Sequence, residues 1–100
     1  MQTITEVVDK LESLGTSEYI ALFLQDQRIK AKRSSPFECA IAAHATAETG
    51  LDVVMVNQRY ISGYADGGEF FEVSIVGGPV SDFVYDFDCG KYPELVADAD

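Results

Sequence analysis

The chain has 100 residues, 47% of them hydrophobic, and a formal net charge of −10. This size and composition predict one folded domain over residues 1–100 with a buried core. The negative charge disfavours binding to nucleic acid or to anionic membranes, and it favours basic partners. The sequence contains neither a signal-peptide pattern nor an apolar run long enough to span a bilayer, so we expect a cytoplasmic protein.

The first two predicted helices are amphipathic. Residues 4–14 follow a capping box formed by Thr3 and Glu6, and their apolar side chains recur at helical spacing. The second helix begins at Thr16 or Ser17 and continues through a cluster of cations. In its last turn these cations would complement the negative end of the helix dipole. The cluster, here called the basic segment (residues 28–33), contains four of the seven basic residues: Arg28, Lys30, Lys32 and Arg33.

The next stretch carries the start and stop signals of a helix. Ser35 and Glu38 have the spacing of a capping box, and Gly50 suits the left-handed residue after a helix end. Nearly all side chains between these signals are small or apolar, which is typical of a helix buried on all sides. We therefore predict that residues 36–49 form a central helix on which the other elements pack. Its predicted apolar face carries Phe37, Ala40, Ile41, His44 and Ala47.

After this helix the hydrophobic pattern changes to the period of strands. In the last strand candidate, Phe71, Val73 and Ile75 alternate with polar residues and predict the face toward the helices. The strand candidates are residues 53–56, 59–62 and 70–76, with a turn at residues 66–68.

A final helix is predicted from Val80 to Gly90, and the tail from Ala97 is expected to be frayed. Asp82 and Asp86 share its outer face. The order of elements predicts an α+β fold with three N-terminal helices, a three-stranded antiparallel meander and a C-terminal helix.

Two segments of the chain are similar to motifs of a known group. The basic segment precedes Cys39-Ala40-Ile41-Ala42, and residues 87–95 read Phe-Asp-Cys-Gly-Lys-Tyr-Pro-Glu-Leu. Together they resemble uncharacterised small proteins of actinobacteria and their phages. That group has Cys-Pro-(Ile/Leu)-Ala and then Phe-Asp-x-Gly-x-Tyr-Pro-Glu-Leu, of which only the second motif is specific. The match is partial, because Ala40 replaces the proline and His44 stands near a usual tyrosine. The resemblance implies an origin in an actinobacterium or one of its phages, with the host cytosol as the location if the chain is phage-encoded, and it implies no known activity.

The last of these motifs also has a physical interpretation. Gly90 would end the helix, Tyr92 and Leu95 would fold back as anchors, and Pro93 would stiffen the turn. We call this predicted arrangement the clasp. The alternative is that the Tyr-Pro-Glu-Leu segment is a docking peptide.

The candidate reactive residues predict no catalytic or metal centre. Cys39 and His44 are five residues apart on one predicted helix and therefore point about 140° away from each other, so they do not form a dyad. Asp82, Asp86 and Asp88 lack the glycine-containing loop of a calcium site and are read as a solvated face. We expect no enzyme activity, cofactor or metal.

Two functional hypotheses are carried forward, and a third, a thiol enzyme that uses Cys39, is testable by thiol labelling of the native protein. The leading one is a small non-enzymatic interaction protein that binds a basic protein surface. Its predicted contacts are Glu69, Glu72, Asp82, Asp86 and Tyr64. The alternative is a nucleic-acid-associated regulator that uses Arg28, Lys30, Lys32 and Arg33. Tyr60, Tyr64 and Phe70 also predict an aromatic edge for self-association or docking, which leaves a homodimer open.

Overall fold

A computed structural model describes residues 2–33, 35–65 and 70–97. It confirms the α+β fold, with three helices, then a meander, then a fourth helix. The helices are α1 (Ile4–Glu12), α2 (Ser17–Asp26), α3 (Ala40–Thr49) and α4 (Pro79–Asp88), and a short 3₁₀ turn spans Pro93–Leu95. The strands are β1 (Val53–Val56), β2 (Tyr60–Tyr64) and β3 (Phe70–Ser74).

The sheet is antiparallel in the order β1-β2-β3, and the helices cover one of its two faces. Ile61 in the central strand pairs with Val56 on one side and Val73 on the other. Helix α3 packs against β1, and α1 packs against β3. The buried side chains of this sheet face and of all four helices form one hydrophobic cluster.

The central helix begins at Ala40, four residues later than residue 36. It is buried over most of its surface but not on all sides as predicted, because Thr46 and Ala47 are exposed. Ser35 Oγ does accept the Glu38 N–H at 3.2 Å, within a turn that precedes the helix. The Glu38 carbonyl accepts the Lys32 N–H at 2.9 Å, and a carbonyl in the preceding turn bonds to β1. These tertiary bonds use carbonyls that an earlier helical turn would need for itself. Phe37 consequently lies outside the helix and is 54% exposed, not part of the core.

The prediction that the cations end the second helix is wrong. Helix α2 stops at Asp26 because Arg28 adopts the left-handed conformation, with φ of 59°. The Ile29 N–H donates to the Leu24 carbonyl, and the Arg28 N–H donates to the Gln25 carbonyl. This is a Schellman ending, with arginine in the place that glycine usually takes. The rest of the basic segment is therefore not helical, and Ala31 within it forms an isolated bridge with Val96.

The predicted clasp is present at the end of α4. Gly90 has φ of +110° and follows the last helical turn, as expected of a terminating glycine. The chain then turns back, so that Leu95 is fully buried and the Tyr92 ring stacks on Phe83 at 5.4 Å. The Tyr92 hydroxyl lies 2.6 Å from the Ser17 hydroxyl of α2.

The end of the described chain is bonded to the segment after α2. The Ala97 N–H donates to the Ala31 carbonyl at 2.7 Å, and the Ala31 N–H donates to the Leu95 carbonyl at 2.8 Å. Ala97 is the first residue of the tail that is expected to fray, and the rest of that tail, residues 98–100, lies outside the described residues. Helix α1, with its Thr3 and Glu6 capping box, forms as predicted but ends at Glu12. The predicted turn at residues 66–68 lies outside the described residues.

Candidate functional site on the open face of the sheet

The face of the sheet that points away from the helices is not covered by any described element. Side chains alternate along each strand, and the register aligns them into rows across the sheet. We call this surface the open face. Its side chains are Val53, Met55, Tyr60, Ser62, Tyr64, Phe70, Glu72 and Ser74.

One row of the open face is apolar and aromatic. Val53 lies opposite Tyr64, which lies opposite Phe70 on the next strand. The Tyr64 and Phe70 rings contact each other, with centroids 5.0 Å apart and planes tilted by 52°. Tyr64 is 47% exposed and Phe70 is 51% exposed. A monomer gains little from holding two rings together in water, whereas aromatic rings in this position are typical of binding surfaces.

The centre of the open face contains an unsatisfied polar group. Ser62 lies between Met55 on β1 and Glu72 on β3. Its side chain is only 1% exposed, and its hydroxyl has no hydrogen-bond partner among the described residues. A buried hydroxyl without a partner costs about 1 to 3 kcal/mol of stability. The described part of the fold therefore buries this hydroxyl without giving it a hydrogen bond.

The open face is negatively charged through a single side chain. Glu72 is the only charged residue among its eight members, and it is exposed. It makes no ion pair within residues 2–33, 35–65 and 70–97, where the ion pairs are Lys32–Glu38 and Lys91–Asp86. Its charge is therefore available to a partner.

The structure divides the predicted protein-binding residues between two surfaces. Tyr64 and Glu72 both belong to the open face. Asp82 and Asp86 instead line a cavity of about 540 Å³ beside α2 and α4, together with Glu18. Asp86 also lies 4.0 Å from the Lys91 ammonium. Glu69, the remaining predicted contact, lies outside the described residues.

The basic segment is used mainly within the chain. The Lys30 ammonium donates to the Glu94 carbonyl at 2.8 Å. The Arg33 guanidinium donates to the carbonyls of Gly90 and Lys91, both at 3.0 Å, and lies over the Phe87 ring at 5.0 Å.

The other two cations of this segment are more exposed. Lys32 lies 3.7 Å from Glu38, and both side chains are largely exposed. Arg28 is exposed at the end of α2. Two of the four predicted nucleic-acid contacts thus hold the clasp in place, which leaves Arg28 and Lys32 facing solvent.

Cys39 and His44 line different cavities. Cys39 lies with Arg59 and Asp88 around a cavity of about 540 Å³, and burial raises the pKa of its thiol. The thiol therefore stays in its less nucleophilic protonated form at neutral pH. His44 lies with Glu48 beside a separate cavity, and burial lowers the pKa of its imidazole.

Across residues 2–33, 35–65 and 70–97, no group of three or more His, Cys, Asp or Glu side chains is arranged to hold a metal ion. In the same part of the chain, none of the helices has the length and hydrophobicity required to cross a membrane.

The sequence revealed only part of the open face. Tyr60, Tyr64 and Phe70 are conspicuous as aromatic residues, but Val53 and Ser62 join them only through the pairing of the strands. The alternation of residues within each strand contains this information in principle. It could not be used, because the register between strands depends on the turns that join them.

Comparison with known protein families, with curated proteins and with solved structures finds no match to this chain. A functional assignment therefore depends on the geometry and chemistry of the described residues.

Proposed function

We propose that the chain is a small non-enzymatic interaction protein that binds a basic partner protein through the open face of its sheet. The observation that carries this proposal is the exposed contact between Tyr64 and Phe70 on a face that no described helix covers. Aromatic side chains in a shallow apolar patch provide most of the energy at many protein interfaces.

The chemistry of the partner follows from the charge. The chain carries a net charge of −10, and Glu72 places one unpaired carboxylate on the open face itself. A basic partner would be attracted from a distance, which raises the association rate, and salt would weaken this attraction. A nucleic acid or an anionic membrane would be repelled by the same field.

The acidic residues have different roles in this proposal. Glu72 contacts the partner beside Tyr64. Asp82 and Asp86 line a separate cavity, so they contribute to the long-range attraction and not to the contact. The partial motif resemblance of residues 39–42 and 87–95 motivates an accessory factor of an actinobacterium or its phage as part of this proposal, and it directs the search for the partner to an actinobacterial host.

Affinity capture from an actinobacterial lysate tests the use of the open face. The immobilised chain is compared with a Tyr64→Ser, Phe70→Ser double variant, which we expect to weaken capture of a specific protein by about tenfold or more. The matched control is a Tyr19→Ser, Leu22→Ser double variant. It removes two equally exposed apolar side chains from α2 and should leave capture unchanged. Equal capture by all three proteins would contradict the proposal.

The role of charge is tested separately. Glu72→Gln keeps the size of the side chain and removes its charge, so we expect slower association at low salt and little difference at high salt. Surface plasmon resonance with the captured partner measures both rates. A complex whose association rate does not respond to salt would contradict the electrostatic part of the proposal.

The nucleic-acid alternative has less support. The Lys30 and Arg33 cations bond to carbonyls of the clasp, and the remaining cations of the basic segment face a strongly negative chain. A gel-shift titration at low salt with an Arg28→Gln, Lys32→Gln variant tests this alternative. Binding that these substitutions abolish would support it over the protein-binding proposal.

A further inference from the structure

The outer edge of β3 presents backbone groups that have no hydrogen-bond partner among the described residues. The Ile75 N–H donates to the Arg59 carbonyl at 2.9 Å, which fixes the side of β3 that faces β2. Because backbone groups alternate along an edge strand, the N–H and C=O groups of Phe70, Glu72 and Ser74 point away from the sheet. Among the described residues, no hydrogen bond reaches these outward groups.

The two edges of the sheet differ in this respect. At the β1 edge, the outward N–H of Val56 donates to the Pro36 carbonyl at 2.8 Å, so the turn before α3 covers part of that edge. Natural sheets also protect edges with lysine, proline or bulges. Strand β3 contains neither lysine nor proline, and its five residues pair with β2 without an interruption in the register.

Side chains on both sides of β3 add apolar surface to this edge. Phe70 lies on the open face next to Tyr64. Phe71 points to the other side of the sheet, is 42% exposed, and lines an apolar cavity of about 150 Å³ with Ile4 and Leu51. An added strand alternates its side chains in the same way, so successive residues would lie beside Phe70 on the open face and beside Phe71 on the other side of the sheet in turn.

Charge distinguishes between two possible occupants of this edge, a second copy of the chain and a basic strand of another protein. Glu72 is the middle residue of β3, so an antiparallel pair of two copies centred there would place two carboxylates opposite each other. Like charges directly opposite across two strands are destabilising, and each copy also carries a net charge of −10. A strand with Lys or Arg at that position gains from the same carboxylate.

We propose that the partner donates an extended segment that pairs with the outer edge of β3 and becomes a fourth strand. The segment carries Lys or Arg opposite Glu72 and an apolar side chain next to Phe71 on the other side of the sheet. Backbone hydrogen bonds supply the attachment, and the alternating side chains supply the specificity. This inference deepens the proposed function and rests on it for the basic character of the partner.

A peptide library tests this proposal without knowledge of the partner. The probes are short blocked peptides in which varied apolar residues alternate with Lys or Arg, and a matched library has Glu at the charged positions. We expect the best basic peptide to bind about tenfold or more tightly than any acidic one. Hydrogen exchange measured by NMR should then show protection of the Phe70, Glu72 and Ser74 amides in the bound state. Failure of every basic peptide to bind at millimolar concentration would overturn the proposal.

Modified peptides distinguish strand pairing from side-chain contact. N-methylation of the peptide amides that face β3 should weaken binding by about tenfold or more, whereas methylation of the intervening amides should not. A Glu72→Lys variant should reverse the preference toward acidic peptides. If both methylated forms bind equally, strand addition is wrong, while binding through the open face can still hold.

The remaining outcomes are also decisive. If the amides of the free protein are already protected and sedimentation shows a concentration-dependent dimer, the occupant is a second copy and the proposal is wrong. If peptides pair with β3 but substitutions at Tyr64 and Phe70 leave partner capture unchanged, strand addition at β3 is supported. Partner binding through the open face is then wrong.

Discussion

The basic segment and the open face both carry exposed side chains, and both are conspicuous in the sequence. They differ in whether those side chains have partners within the chain. Arg33 bonds to two carbonyls of the clasp and lies over an aromatic ring, whereas the Tyr64 and Phe70 rings contact each other on a face that no described element covers. The cations of the basic segment therefore stabilise the packing of the clasp, whereas the aromatic pair of the open face is a candidate binding surface.

Exposure and charge are therefore weak guides to function until the contacts of each side chain within its own chain are known. A polar group already bonded within the fold must lose that bond before it can serve a ligand. Hence the best candidates for binding are groups that the fold exposes and does not use. The following substitutions test this distinction, beginning with the largest expected effect.

Leu95→Ala should show that the clasp is part of the core. Leu95 is fully buried, so its truncation should lower the free energy of unfolding by about 2 to 5 kcal/mol. Chemical denaturation followed by circular dichroism measures the change. Leu22→Ala removes the same atoms from a side chain that is 58% exposed, and it should cost about 0.5 kcal/mol or less. Similar losses in the two variants would mean that the clasp does not belong to the folded core.

Arg33→Gln should show that the basic segment has a structural role. It removes two hydrogen bonds and the contact with the Phe87 ring, so we expect a loss of about 1 to 2 kcal/mol in stability. Arg28→Gln changes a cation with no described side-chain contact and should leave stability nearly unchanged. If neither variant changes the stability, the contacts of Arg33 do not stabilise the fold, and the basic segment would be as free to bind a partner as the open face.

Ser62→Ala should stabilise the protein. The substitution removes a buried hydroxyl that has no partner among the described residues, and we expect a gain of about 1 kcal/mol. Ser74→Ala is the control on the same face, because Ser74 is exposed and can be solvated. A loss of stability on changing Ser62 would indicate that the hydroxyl has a partner in solution.

Tyr64→Ser should have the smallest effect on folding. The ring is about half exposed and lies on a face without a described covering element, so stability should change by about 0.5 kcal/mol or less. Thermal unfolding measures this change alongside the capture experiment. A larger loss would show that the fold depends on the aromatic row, which would weaken its interpretation as a binding surface.

Much of the fold follows from local patterns. The capping box of Thr3 and Glu6 defines the start of α1, and Gly90 defines the end of α4, because both signals act through backbone groups of neighbouring residues. Val53–Val56 is recognisable from its β-branched side chains and forms β1 with the expected bounds. Such features require only a few adjacent residues.

The errors arise where distant parts of the chain compete for the same backbone groups. Ser35, Pro36 and Glu38 satisfy the rules for a helix start, yet two of their carbonyls bond to other elements, and the helix begins at Ala40. Arg28 ends α2 in the left-handed conformation, which an arginine at that position does not predict. Neither outcome is visible without the positions of the partner segments.

The sequence alone determined the types and order of the elements, the burial of the alanine-rich helix and the negative charge of the surface. Only the tertiary structure decided which side chains remain without partners. It joined Lys30 and Arg33 to the clasp, and it aligned Tyr64, Phe70 and Glu72 on the open face. The reason is physical: local patterns fix the conformation of short segments, whereas the partners of a side chain depend on register and packing between segments that are distant in sequence.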